Sequence, residues 1–248
     1  MRSNNTKYEI IENRQVGHNT VRMRLKGAVD EFTAPGQFVN IAVPDFELRR
    51  PISVCDIEGD IITLIYDMVG HGTEAMSQLE KGTVIDMLPA LGNGFDVSKC
   101  GERPILLGGG VGCPPIYALA KNLLANNILP TVILGFNNEK RMIMIENFEN
   151  LDIPFYVATL DGSYGTKGYV TDVIDREGLN PDYFYACGPL PMLRSLCQSL
   201  DIPGQVSLEA RMACGFGICM CCSLETVSGA KRICKDGPVF EKKELIWK

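Results

Sequence analysis

The 248-residue sequence has no apolar run near the roughly 20 residues that a membrane-spanning helix needs, so we expect no membrane span. Its first residues lack the apolar core of a secretory signal peptide. It has only two histidines, and H-E-x-x-H, Walker-type G-K-[ST] and Ser-His-Asp patterns are missing. The net charge of −6 argues against a nucleic-acid or anionic-membrane partner. We therefore expect a cytoplasmic protein that binds neither nucleic acid nor membranes.

Cysteine, in contrast, is abundant, with ten residues of which four fall within nine positions. Cys214, Cys219 and Cys222 form the pattern C-x4-C-x2-C, and Cys234 follows. This spacing is that of plant-type [2Fe–2S] proteins, which predicts these four thiolates as metal ligands. Cys221 could replace Cys222 as a ligand, but the spacing favours Cys222.

Two other interpretations of these cysteines remain open. Disulfides are uncommon in the reducing cytoplasm, which disfavours a disulfide framework. A zinc site of four cysteines usually has two separated C-x2-C pairs, and here only Cys219 and Cys222 form one. The other cysteines lie in apolar surroundings and are expected to be mostly core residues: Cys55, Cys100, Cys113, Cys187 and Cys197.

Residues 1–100 predict an antiparallel β-barrel. Short runs rich in Val, Ile and Tyr alternate with turn residues, as in barrels and sandwiches. One helix is predicted over 72–82, with Thr73 as its N-cap and Gly82 at its end. The six predicted strands lie at 8–16, 20–27, 36–43, 52–60, 61–70 and 82–91.

Residues 101–208 alternate strand and helix patterns, which predicts βαβ units and a parallel sheet. From residue 209 to 248 the periodicity stops and the cysteines begin. The predicted fold class is thus β plus α/β, with a barrel, a parallel-sheet domain and a small cysteine-rich loop region.

Two stretches of the second region are candidates for nucleotide binding. In "LLGGGVGCPP" a strand runs through glycines into a helix, where backbone N–H groups can meet a pyrophosphate. In "YACGPLPML" Cys187 and Gly188 fall at the carboxyl edge of the sheet, where α/β folds bind ligands. The alternative in both cases is a tight turn without a ligand. The candidate glycines of the first stretch are Gly108, Gly109, Gly110 and Gly112.

In "ELRRPISVCD", Arg50 precedes a proline and Ser53 is predicted to begin a strand. An arginine here could contact a phosphate or a flavin. Taken alone, the stretch is better interpreted as an exposed basic turn.

Together these four stretches resemble the ferredoxin–NADP reductase superfamily, and the cluster loop "EARMACGFGIC…C…CKDGPVF" resembles the electron-transfer subunits of dihydroorotate dehydrogenase B. The resemblance covers the whole chain. It implies a FAD-binding barrel, an NAD-binding α/β domain with contacts at the glycine loop, Cys187 and Gly188, and a [2Fe–2S] region. Asp67 departs from the basic residue common there, so we expect it to use its backbone or make no contact. The implied FAD contacts are Arg50, Pro51, Ile52, Ser53, Ile65, Tyr66, Asp67, Gly72 and Thr73.

The resemblance also implies a function and a partner. A catalytic subunit with FMN would oxidise dihydroorotate in pyrimidine biosynthesis, and electrons would pass through this chain to NAD+, with two copies of each subunit. No catalytic acid or base is then needed on this chain. Glu139 favours NAD over NADP, although Lys140 and Arg141 weaken that inference.

Two other functions stay open at this point. One is a related subunit of another NAD(P)-linked complex, such as a sulfide dehydrogenase, a hydrogenase or a bifurcating reductase. The other is a zinc-stabilised nucleotide-binding regulator.

Overall fold

Six antiparallel strands close into a barrel in the order β1-β2-β5-β4-β3-β6 in the computed structural model, which describes residues 6–247. Alternation of apolar and polar residues drives the closure, since Met23, Leu25, Ile62 and Leu64 of neighbouring strands are fully buried inside. The predicted barrel is therefore confirmed. Its strands are β1 (Lys7–Gly17), β2 (Thr20–Lys26), β3 (Phe38–Ile41), β4 (Arg50–Glu58), β5 (Ile61–Asp67) and β6 (Val84–Leu91).

The single helix of the barrel region, α1 (His71–Ser77), differs from the prediction at both ends. Its N-cap is Gly70, and Thr73 lies three residues further on as N3. The Thr73 Oγ1 accepts hydrogen bonds from the backbone N–H groups of Val69 and Gly70 at 2.9 and 3.3 Å. A threonine at N3 whose side chain bonds to the backbone before the helix produces the same sequence pattern as a threonine N-cap. This explains why the predicted N-cap was wrong.

A seven-stranded sheet follows in the order β10-β9-β8-β7-β11-β12-β15, parallel except for β15. Helices cover its faces, as the predicted βαβ units require. The strands are β7 (Pro104–Gly109), β8 (Thr131–Phe136), β9 (Phe155–Thr159), β10 (Thr166–Lys167), β11 (Tyr183–Cys187), β12 (Gly204–Ser207) and β15 (Val239–Glu241). The helices are α2 (Cys113–Ala125), α3 (Ile145–Glu149), α4 (Val170–Arg176) and α5 (Leu190–Ser199).

The C-terminal region is more ordered than its sequence pattern indicated. It contains a hairpin of β13 (Ser223–Thr226) and β14 (Gly229–Arg232), and then the short helix α6 (Ile233–Asp236). The chain then returns to the sheet, because β15 pairs antiparallel with β12. The boundaries 1–100, 101–208 and 209–248 remain a prediction.

Barrel and sheet are joined by α2, which lies against β4. Cys55 and Ile65 of the barrel belong to the same apolar core as Cys113 and Ile116 of α2. Beside this core, Lys121 Nζ lies 2.7 Å from a carboxylate oxygen of Asp56. Within residues 6–247 none of the helices has the length and apolar character needed to cross a bilayer.

Candidate functional site

The first candidate site lies where β4 begins beside α1. Arg50 is half-buried in β4, which starts at this residue and not at Ser53, so the interpretation as an exposed basic turn is wrong. Its guanidinium covers Gly72, where a Cβ would fall only 1.9 Å from the Arg50 Nε. Only glycine allows this approach, and Thr73 is buried beside it. The structure thus brings Arg50, Gly72 and Thr73 into one group.

The neighbouring positions on β4 lie along the same strand. Pro51, Ile52 and Ser53 are half-buried and pair with Asn40, Val39 and Phe38 of β3 in the order given. Directly paired residues share a face of the sheet, and alternate residues switch faces. Pro51 and Ser53 therefore lie on one face of β4 and Ile52 on the other.

The candidate residues of β5 divide between three environments. Ile65 packs into the core shared with α2, whereas Tyr66 packs inside the barrel. Burial raises the pKa of Tyr66, and its hydroxyl has no hydrogen-bond partner within the described residues. Asp67 accepts a hydrogen bond from Thr20 Oγ1 at 2.5 Å and lies 3.0 Å from Arg141 Nη2. The Asp67 carboxylate is thus paired with protein groups.

The second candidate site lies at the carboxyl edge of the parallel sheet, where β7 and β11 are neighbours. Gly108 pairs in register with Cys187, so both predicted loops leave the sheet side by side. A Cβ on Gly112 would lie 2.1 Å from the Cys187 carbonyl oxygen. The backbones therefore touch, and Gly110, with φ of +52°, completes the turn into α2.

Gly109 and Gly188 also approach each other closely at this edge of the sheet. The Cα of Gly109 lies 3.1 Å from the Cβ position of Gly188, and both positions face Met192. Burial raises the pKa of the Cys187 thiol to about 12, so the thiol is neutral at physiological pH. The structure brings together all six predicted residues of this edge.

The third candidate site is the cysteine-rich loop. Cys222 and Cys234 are buried, and the Cys234 backbone N–H donates to Cys222 Sγ at 3.4 Å. Burial, followed by a hydrogen bond with Cys222, raises the pKa of Cys234 to about 12. Cys214 is half-buried and Cys219 is exposed.

The backbone around Cys214 points N–H groups at its sulfur. Ile218 N–H donates to Cys214 Sγ at 3.3 Å. Burial alone would raise the pKa of Cys214, but the N–H groups of Cys219, Phe216 and Ile218 and the Cys219 thiol lower it to about 6. Hydrogen bonds of this kind stabilise a thiolate, which is the form that binds metal.

Hydrogen bonds link Cys214 with Cys219 and Cys222 with Cys234, and Cys214 also acts electrostatically on Cys234, so the four predicted ligands lie near one another. Within residues 6–247, no group of three or more Cys, His, Asp or Glu side chains is arranged around a single metal position. A [2Fe–2S] cluster is held by four cysteine thiolates, which this group could supply. Cys221 stands apart, exposed, with Sγ 3.7 Å from the Arg211 carbonyl oxygen.

Three features of the site have no counterpart in the predicted residues. Asn40 of β3 donates a hydrogen bond to the Cys214 carbonyl. Arg141 binds Asp67 across the two domains. The cluster loop also exposes apolar side chains, of which Ile218 is 76% exposed. Only the last had a sequence signal, since Phe216, Ile218 and Met220 stand between the cysteines in the sequence. The exposed side chains are Phe216, Ile218 and Met220.

A flavin-type barrel, a glycine-lined sheet edge and paired thiols define an NAD-linked reductase of the ferredoxin–NADP reductase type with an added iron–sulfur region. The sequence model of the iron–sulfur cluster binding domain of dihydroorotate dehydrogenase B matches residues 209–246. The model of the oxidoreductase NAD-binding domain matches residues 106–198.

Whole-chain relatives are more specific. The dihydroorotate dehydrogenase B (NAD(+)) electron transfer subunit of Fusobacterium nucleatum is 42% identical over 243 residues, which is 92% of this chain and 93% of the relative. The subunit of the same name from a Geobacillus species is 41% identical and covers 96% of both chains. The chain therefore belongs to the family of dihydroorotate dehydrogenase B electron-transfer subunits.

Solved structures agree on the fold. The structure of an NADH-dependent reduced ferredoxin–NADP oxidoreductase, reported for flavin-based electron bifurcation, superposes with a TM-score of 0.87 at 29% identity, covering 100% of this chain and 92% of that one. Phthalate dioxygenase reductase superposes with a TM-score of 0.68 at 16% identity, covering 90% and 87%.

These comparisons confirm the family, the fold class and the electron-transfer function predicted from the sequence. They also confirm the predicted cofactors, namely an iron–sulfur cluster, FAD and NAD. The individual ligands and contacts remain predictions.

Proposed function

We propose that this chain carries electrons from the FMN of a catalytic dihydroorotate dehydrogenase subunit to NAD+, in the biosynthesis of pyrimidines. NAD accepts two electrons as a hydride, an iron–sulfur cluster exchanges one at a time, and FAD does both when bound. The chain's own residues bind these groups, orient them and keep water away from them.

For FAD, the residues present fit the group. The guanidinium of Arg50 is a fixed cation beside the glycine of α1, which suits a phosphate that approaches the backbone closely. The predicted contacts on β4 and β5 lie on neighbouring strands of the same barrel. Asp67 is held by Thr20 and Arg141, which supports the expectation that it offers no side-chain contact.

For NAD, the touching backbones of the glycine loop and of the Cys187–Gly188 turn form a cleft edge without side chains. Pro114 and Pro115 at the start of α2 have no N–H, and the Cys113 N–H donates to the Gly110 carbonyl, so a pyrophosphate would meet the backbone of the glycine loop that precedes the helix. The nicotinamide ring would then lie over Gly188, next to the barrel.

For the cluster, the two thiol pairs support Cys214, Cys219, Cys222 and Cys234 as ligands of a [2Fe–2S] centre. The four differ in burial, because Cys222 and Cys234 face the core, Cys214 is half-buried and Cys219 faces solvent. Cys222 and Cys234 would thus hold a cluster from the inner side, and Cys214 and Cys219 from the side nearer to solvent.

The partner we propose is the FMN-containing catalytic subunit, with two copies of each subunit in the complex. The exposed apolar tip formed by Phe216, Ile218 and Met220, which we call the loop tip, supports this. An exposed group of apolar side chains is typical of a surface that another protein covers in the complex. We place the complex in the cytoplasm, without membrane or nucleic acid.

The observation that carries the proposal is the pairing of four thiols in one loop that lies beside the flavin-binding strands. The test combines the purified chain with the catalytic FMN subunit of its own species and measures reduction of NAD+ by dihydroorotate. The chain alone should reduce artificial acceptors with NADH and should not turn over dihydroorotate. Turnover by the chain alone, or none after assembly with the catalytic subunit, would contradict the proposal and favour another NAD-linked complex.

A further inference from the structure

Asn40 is a buried amide at the point where the barrel meets the cluster loop. It is 1% exposed and lies in the middle of β3. Its neighbours Val39 and Ile41 point into the barrel core, whereas Phe38 belongs to the apolar cluster that contains Cys222 and Cys234. Because side chains alternate along a strand, Asn40 shares the outward face with Phe38.

This outward face connects the two proposed cofactor sites. Asn40 pairs with Pro51 of β4, which lies within the proposed FAD-binding segment. On its other side, Asn40 Nδ2 donates a hydrogen bond to the Cys214 carbonyl oxygen at 3.3 Å. One residue is therefore paired through its backbone with the proposed flavin strand and bonded through its side chain to the first predicted cluster ligand.

The contact with the loop leaves little room for adjustment. Gly215 has φ of +76°, and a Cβ at this position would lie 2.3 Å from Asn40 Nδ2. The backbone of the loop therefore rests directly on the amide. On the far side of Gly215 the loop is held by Arg232, which donates to the Gly217 carbonyl at 2.8 Å, so Asn40 and Arg232 fix the first turn of the loop from two sides.

If residue 40 served only to pack, an apolar side chain would be more favourable than the amide of Asn40. Within the described residues, Asn40 Oδ1 is buried and has no hydrogen-bond partner. Burying an unsatisfied polar atom is unfavourable, and an apolar residue such as those on either side would avoid it. In the Asn40 side chain it is the Nδ2 donor that forms a hydrogen bond, to the Cys214 carbonyl.

We propose that Asn40 is a positioning residue that fixes the cluster loop against the flavin strand and thereby sets the rate of electron passage between FAD and the cluster. The inference rests on the proposed function. In the test, which runs the proposed flow in reverse, NADH would become NAD+ by giving a hydride to FAD; one electron would then pass to the cluster and the other would stay on the flavin, with no bond made or broken at the iron.

The test uses the full chain with both cofactors and the variant Asn40→Leu, which keeps the branched shape of the side chain and removes the donor. After anaerobic mixing with NADH, loss of flavin absorbance reports hydride transfer, and freeze-quench EPR reports the reduced cluster. We expect flavin reduction at the wild-type rate and slower cluster reduction, because the loop that carries Cys214 would lose the hydrogen bond that holds it against β3. The g values of the reduced cluster should also shift.

Gln205→Leu is the matched control. Gln205 is a buried amide in β12 that donates to the Asp96 carbonyl and to the Tyr183 hydroxyl, away from the cysteines. It should leave cluster reduction and g values unchanged. Asn40→Ser, which keeps a shorter donor, should restore part of the rate and serves if the leucine variant does not fold.

Several results would overturn the inference while leaving the proposed function intact. These are wild-type cluster kinetics and g values in Asn40→Leu, equal slowing in Gln205→Leu, or loss of iron with FAD retained, which would make Asn40 an assembly residue. Absence of FAD or iron from the wild-type chain would instead contradict the proposed function itself.

Discussion

Adjacent residues can have opposite roles when the chain turns between them, as Cys221 and Cys222 show. Cys222 is 3% exposed, accepts a backbone hydrogen bond and faces Cys234. Cys221 is exposed and contacts only the carbonyl of Arg211 among the described residues. Met220, with φ of +60°, starts the turn that separates them. The structure thus favours Cys222 as the ligand, as the spacing predicted.

Replacing each thiol by a hydroxyl tests this difference at the residue scale. Cys222→Ser should lose the cluster, because a buried ligand disappears, whereas Cys221→Ser should retain it. Iron analysis and the visible absorption spectrum are the measurements, with about two irons per chain expected in wild type and in Cys221→Ser. The opposite pattern would reassign the ligand to Cys221, and stoichiometric zinc in a colourless protein would reject the cluster.

At the scale of elements, the segment after β8 connects the nucleotide domain to the barrel. Arg141 binds Asp67 and also donates to the carbonyl of His18 at 3.1 Å. Two residues on, Ile143 contacts Gly17 in the β1–β2 turn. A single short segment therefore holds the two domains at the side where NAD and FAD would meet.

Arg141→Gln removes the ion pair but keeps a polar side chain of similar reach. We expect unfolding free energy to fall by about 0.5–1 kcal/mol, since Arg141 is partly exposed to solvent. We also expect slower flavin reduction by NADH, because the domains are less firmly held. Urea unfolding and stopped-flow absorbance are the measurements.

Arg176→Gln is the control for that experiment. Arg176 makes an exposed, 3.8 Å pair with Glu177 at the end of α4, away from the barrel. It should change neither quantity. Equal effects of both variants would show that Arg141 contributes only a surface charge.

On the scale of the whole molecule, the loop tip is the part of the proposed electron path that reaches solvent. Along that path the barrel carries the proposed FAD contacts and the sheet edge the proposed NAD contacts. The tip leaves Ile218 76% exposed beside Cys219. A charged substitution there tests partner docking without touching FAD or NAD.

Ile218→Glu should weaken binding of the catalytic subunit by about tenfold or more, as expected for an apolar interface residue replaced by a buried charge. Iron and FAD content should stay at wild-type values. Leu129→Glu is the control, because Leu129 is 60% exposed and follows α2, far along the chain from the cysteines. Sedimentation of the mixed subunits measures the affinity, and equal affinities for both variants would exclude the tip from the interface.

Local patterns in the sequence predicted much of this architecture, because strand alternation, βαβ order and cysteine spacing are short-range signals. Contacts between distant positions were not predictable in this way. Asn40 meets Cys214 across 174 positions, and β15 joins the sheet through pairing with β12 that no local pattern encodes. The same holds for the Arg141–Asp67 pair, whose two residues lie in separate predicted domains.

The return of β15 to the sheet has a consequence for how the molecule is assembled. β12 and β15 pair directly, with Ser207 opposite Val239, so the whole cluster region is topologically one long hairpin loop. The hairpin β13–β14 pairs only with itself among the named strands. Residues at the tip of such a loop can be substituted without altering the register between β12 and β15. The surface proposed to meet the redox partner thus lies at the tip of an insertion between β12 and β15, whose base packs through Cys222 and Cys234 against the barrel and the sheet.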